Sequence, residues 1–108
     1  AKDVPSVALI GEGENLGQVR YELADGQVAF TVNADLPAPK KGEFYQVWLK
    51  AVDRDDKTRV FKLELGKAGY MGWGSVSAET LPFQVVVSKE TKDDDQLEMT
   101  VLSGTLQK

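Results

Sequence analysis

The 108-residue chain contains no cysteine and no histidine. Without cysteine there are no disulfides, no thiol nucleophile and no thiolate-held zinc, while the redox compartment stays open because exported bacterial domains often lack disulfides. Without histidine the usual general base near neutral pH is missing. Ser75, Ser77, Ser88 and Ser103 therefore have no imidazole partner. Ser88 and Lys89 are adjacent on an expected strand, where successive side chains point to opposite faces, so they form no dyad by themselves. A pair of carboxylates is the remaining catalytic option. Most of the acids, however, fall in loops or alternate outward on strands. The residues point to a protein that is not an enzyme and that takes no cofactor.

Long apolar runs are lacking too, and nothing approaches the ~20 residues of a membrane span. The opening Ala1-Lys2-Asp3 carries neither an initiating Met nor a signal-peptide apolar region, so the chain reads as an excised or processed fragment. Basic residues are few and scattered, apart from Lys40-Lys41 in an expected solvated loop. With 13 Lys and Arg against 17 Asp and Glu, the net charge of −4 offers no footprint for a phosphate backbone, and no nucleic-acid partner is expected.

What is present is an ordinary globular composition, 42% hydrophobic and 28% charged, over a length that fits one domain, residues 1–108. Apolar residues recur with a period of two, and no window of 11 or more keeps a helical stripe. Val19, Tyr21 and Leu23 alternate with Gln18, Arg20 and Glu22. After Asp25-Gly26, Val28, Phe30 and Val32 alternate with Gln27, Ala29, Thr31 and Asn33. Asp-Gly between two such runs predicts a two-residue hairpin. Further strands are expected at Val4–Ile10, Glu43–Lys50, Thr58–Leu65, Phe83–Ser88 and Glu98–Leu106, with a short one near Tyr70–Trp73. Glu43–Lys50 and Phe83–Val87 are apolar on both faces and should be central. Leu36–Gly42 and Asp53–Lys57 read as loops. The expectation is an all-β fold: a single antiparallel β-sandwich of about seven or eight strands, immunoglobulin-like in general architecture.

Four segments invite a functional reading. Gly11–Gly17 resembles a dinucleotide loop, but its glycine spacing is one residue too long and two glutamates would repel a phosphate, so it reads as a loop before a strand. Asp53, Asp55 and Asp56 form one acidic cluster and Asp93, Asp94 and Asp95 another, both rich in the hard oxygens that calcium prefers. Counted as an EF-hand from Asp53, position 12 is Glu64, yet position 6 is Thr58 where glycine is required. Solvated loop acids are the simpler reading, and a weak calcium site shared by both loops is the alternative. Gly69–Gly74 offers Tyr70, Met71 and Trp73 between glycines that let the backbone turn sharply, either as a binding platform or, more simply, as a cap on the end of the sandwich.

A family pattern runs from about Leu9 to Leu106. It comprises Gly17-Gln18-Val19-Arg20-Tyr21, Leu36-Pro37-Ala38-Pro39 ahead of Gly42–Leu49, Val86-Val87-Ser88-Lys89-Glu90, and Val101–Leu106. In this order the segments resemble the C-terminal domain of anti-sigma-K-type factors, bacterial membrane proteins that restrain extracytoplasmic-function sigma factors. Tyr45, Trp48, Leu49 and Gly104 are its structural signature here. Thr91–Gln96 departs from the Gly-, Pro- and Thr-rich segment usual in that family. The resemblance implies a parent with a cytoplasmic sigma-binding region, one transmembrane helix, and this domain on the periplasmic or cell-surface side as a sensory or protease-accessible module. The competing expectation is a stand-alone exported or lipid-anchored β-sandwich that binds a surface component such as a glycan through Tyr70 and Trp73. Oligomeric state is left open.

Overall fold

The computed structural model describes residues 5–107; Val4, with which the first expected strand begins, lies outside them. Nine strands are present: β1 (Ser6–Gly11), β2 (Glu14–Ala24), β3 (Gln27–Ala34), β4 (Phe44–Ala51), β5 (Lys57–Lys62), β6 (Glu64–Gly66), β7 (Gly69–Ser77), β8 (Phe83–Glu90) and β9 (Met99–Leu106), with one 3-10 turn at Ala78–Thr80. All pairings are antiparallel, in the order β5-β4-β8-β9-β1-β2-β3-β7-β6.

The sheet is continuous but has a weak seam. Strands β9 and β1 share a single residue pair, Ile10 with Ser103. On either side of that seam the halves fold onto each other. With β1 set aside, β2-β3-β7-β6 follows the A-B-E-D order and β5-β4-β8-β9 the C′-C-F-G order of an immunoglobulin-type sandwich. The all-β, antiparallel expectation therefore holds. The count is nine because the run expected over Thr58–Leu65 divides at Leu63, where the chain leaves one half for the other. Leu63 is buried there and its amide donates to the Tyr45 carbonyl at 2.9 Å.

Alternation decides which side chains enter the core. Val28, Phe30, Val32 and Ala34 of β3 face Tyr45, Val47 and Leu49 of β4 and Phe83, Val85 and Val87 of β8 in one apolar cluster, to which Leu9, Val19, Leu102 and Leu106 also belong. Full burial of side chains of this size contributes roughly 1.5–3 kcal/mol each. Asp25 and Gly26 both take positive φ, 54° and 76°, and join β2 to β3 in the expected hairpin. Gly11–Gly17, expected as a loop, is a second hairpin: only Glu12 and Gly13 turn, at φ of 51° and 79°, and Glu14–Gly17 already belong to β2.

Both doubly apolar runs are central. β4 lies between β5 and β8, and β8 between β4 and β9. Tyr45, Val47 and Leu49 point into the core, whereas Gln46, Trp48, Val86, Ser88 and Glu90 are buried on the opposite face. Trp48 Nε1 donates to Ser88 Oγ at 2.7 Å, and Gln46 Nε2 to the Phe61 carbonyl at 2.7 Å, whereas Glu90 Oε1 is buried there without a hydrogen-bond partner. Tyr45 reaches out of the core to donate its hydroxyl to the Pro37 carbonyl at 2.7 Å, which pins the loop before β4. Burial, with smaller contributions from Tyr70 and Glu43, pushes that hydroxyl above the ordinary phenol range.

Candidate functional site

Gly69–Gly74 is not an end loop. It forms most of β7, which is paired with β3 from Tyr70 opposite Ala34 to Ser77 opposite Gln27. The period of two then separates its aromatics. Tyr70 turns inward, is 9% exposed, and meets Tyr45 edge-on with ring centroids 5.2 Å apart. It is a core residue, which corrects its expected place on a binding surface. Met71 and Trp73 turn outward, 36% and 77% exposed.

The glycines of this segment serve packing. A Cβ on Gly72 would come within 2.6 Å of the Phe61 ring, and one on Gly74 within 3.0 Å. Their bare backbone admits Phe61 of β5, which stacks at 5.7 Å from Phe30 and closes the sandwich on the side away from the seam. That requirement, and not a turn, accounts for the alternation Gly72-Trp73-Gly74.

Outside the core, β2, β3 and β7 present an open face. Arg20 lies opposite Thr31, and Thr31 opposite Trp73, in one cross-strand row; Gln18, Asn33 and Met71 form the next. Arg20, Thr31, Asn33, Met71 and Trp73 line a shallow depression of about 500 Å³. Asn33 Oδ1 is buried there without a hydrogen-bond partner. Trp73 was legible as a candidate in the sequence, but its neighbours Arg20, Thr31 and Asn33 were not. The polar alternation of β2 and β3 was the available signal: carrying β7 through to Ser77 would have placed Trp73 on their polar face.

The two acidic clusters do not converge. Asp53 and Asp56 lie 3.7 and 2.8 Å from the Arg54 guanidinium in the β4–β5 loop, with Asp55 beside them in sequence. Asp93 pairs with both Arg59 and Lys62 of β5, and Asp95 stands 3.4 Å from Arg59. Among the described residues no group of three or more acidic side chains is arranged to hold a metal ion. The alternative of a calcium site shared by Asp53, Asp55, Asp56, Asp93, Asp94 and Asp95 is thus not assembled, because four of these acids face cations of their own chain.

The second acidic segment has a different task. To reach β5 from β8, residues 91–98 must cross the outer face of β4, the face on which Trp48 and Ser88 are buried. Lys62, paired with Asp93, also sits 4.6 Å from the centre of the Phe44 ring. Glu98 fastens the far end: its carboxylate accepts from the Thr91 amide at 2.9 Å, the Thr91 hydroxyl at 2.7 Å and the Lys92 amide at 3.2 Å. Its own amide donates to buried Glu90 at 2.9 Å. The Thr91 amide first, then the Thr91 hydroxyl and Lys92 amide, hold the Glu98 carboxyl below the usual glutamate range. A carboxyl lowered in the folded state contributes stability that is present above the unfolded pKa and lost as pH falls through the folded one. Glu98→Gln is therefore expected to lower the unfolding midpoint at pH 7, and the gap to wild type should close as the pH falls below the ordinary glutamate range. Hydrogen exchange at Thr91 and Lys92 should quicken in the same variant at pH 7.

The structural signature residues fall where scaffold residues belong. Tyr45 and Trp48 occupy opposite faces of β4, and Leu49 faces the core. Gly104 lies on β9 opposite Val85, and a Cβ there would collide with the Ala8 carbonyl of β1. Comparison with family models, with curated proteins and with solved structures found no significant match in any of the three.

Proposed function

We propose that this chain is the non-catalytic extracytoplasmic domain of a membrane-anchored anti-sigma factor, where it senses or gates a signal to an extracytoplasmic-function sigma factor. The observation that carries the reading is spatial. Tyr45-Gln46-Val47-Trp48-Leu49, Val86–Glu90 and Val101–Leu106, three separated blocks of the family pattern, occupy the neighbouring strands β4, β8 and β9. Trp48 of the first block is hydrogen-bonded to Ser88 of the second across 40 positions of sequence, and Tyr45 fastens the Leu36–Pro39 segment that completes the pattern. Motif residues that depend on one another in this way favour a common scaffold over coincidence of composition.

A domain of this size gates a membrane switch without chemistry. Ligand binding or local opening changes how often a segment is available for cleavage, and the segment 91–98 is attached to β5 by ion pairs in which Asp93 and Asp95 are exposed. The second reading, a stand-alone exported or lipid-anchored binding module, is favoured by the exposed indole of Trp73. The coding DNA upstream of Ala1 separates the two. A span of ~20 apolar residues preceded by a cytoplasmic helical segment is the expected result. A short signal peptide with nothing before it would instead select the binding module.

A further inference from the structure

We infer that the open face of β2, β3 and β7 is a binding platform for a neutral glycan chain, with Trp73 as its stacking residue and Arg20, Thr31 and Asn33 as its hydrogen-bonding flank. The inference rests on the domain acting outside the membrane and names the class of molecule it would meet there.

Trp73 is central to the argument because nothing in the fold explains it. It stands in the middle of a fully paired strand, 77% exposed, while every inward position of β7 is accounted for by Tyr45, Phe61 or the core. Pairing with β3 on both sides fixes the backbone that carries the indole, so its point of attachment on the face is set. Its face suits the C–H surface of a pyranose ring. Around it stand planar or hydroxyl-bearing polar groups, Thr31 directly opposite, Arg20 beyond at two strand spacings or roughly 9.6 Å, and Asn33 in the next row about 6.8 Å along the strands, where apolar Met71 also lies. A platform with hydrogen-bonding groups on one flank and an open end suits a chain of hydroxyl-bearing rings lying across the strands.

Charge and area argue against other occupants. Arg20 shares the face with Glu22 on its own strand and Glu64 opposite Met71, so no net positive field selects an anion. An aromatic side chain buries at most ~150–250 Å², and Met71 is the other large apolar group here. Together they fall well short of the roughly 800 Å² per partner that a stable protein complex buries. Glycans need far less apolar area, because each ring brings its own hydrogen-bonding groups.

The test is a titration of the full 108-residue chain with neutral tetrasaccharides of β-linked N-acetylglucosamine and of β-linked glucose, followed by tryptophan emission and by calorimetry. The expected result is a saturable change with at least one of them at millimolar concentration or below. Trp73→Ala should weaken it by roughly tenfold or more, with an unchanged unfolding midpoint, and Trp73→Tyr should restore part of it. No saturable signal with either sugar, equal binding by Trp73→Ala, or a wild-type dimer that Trp73→Ala dissolves would overturn the inference. Since the assay uses this chain alone, such a failure leaves the anti-sigma reading to its own test on the parent protein.

Discussion

Trp48→Ala is expected to destabilise the protein by about 3–5 kcal/mol, the range for emptying a buried tryptophan site, and to lower the unfolding midpoint by about 12 °C or more. Trp48 is 1% exposed on the outer face of β4, the face that the segment 91–98 crosses to pair with Arg59 and Lys62. Its removal leaves a large cavity and takes the donor from Ser88 Oγ, which is itself fully buried. Part of the loss should be local. Once the indole is gone, residues 91–98 have less to pack on and depend on the ion pairs to Arg59 and Lys62, which are weak where exposed and screened by salt. Limited proteolysis at 91–98 should accelerate in Trp48→Ala, and more so at high salt. Trp73→Ala supplies the contrast: the same substitution at an exposed position should change stability by no more than about 0.5 kcal/mol. Equal losses from the two variants would mean that the two indoles are not partitioned between scaffold and surface.

Gly104→Val is the second large effect, expected to cost about 3 kcal/mol, the upper part of the range for overpacking a close contact. The first added carbon would already meet the Ala8 carbonyl, with the Val7 and Leu9 side chains at 3.2 and 3.3 Å. Backbone cannot yield as a flexible side chain does. The seam at this point depends on one residue pair, so β1 is the element expected to give way. Amide exchange should show protection lost in β1 while the pairing of β3 with β7 survives. Uniform loss of protection across both halves would show that the seam and the core unfold as one unit.

Much of the fold was legible because strand periodicity was strong where it mattered. The Asp25-Gly26 hairpin, the two central strands and the opposed burial of Tyr45 and Trp48 all follow from alternation and turn chemistry. The strand count was less legible, because Leu63 looks like one more apolar residue in a continuous run until the chain is seen to change halves there. The candidate site was harder still. Glycines at 69, 72 and 74 imitate a flexible loop, whereas Gly72 and Gly74 are small because Phe61 of a distant strand occupies the space. Only a long-range contact explains them, and such contacts leave no local signature. For the same reason the acids at 93 and 95 read as free ligands for a cation, although Arg59 and Lys62, more than 30 positions earlier, already face them.

The most direct test of the anti-sigma reading deletes residues 1–108 from the parent gene, leaving everything upstream in place, and follows a sigma-dependent reporter under envelope stress. The account predicts a changed response, either constitutive or blocked according to whether the domain restrains or transmits the signal. A reporter response identical to that of the intact gene would contradict it.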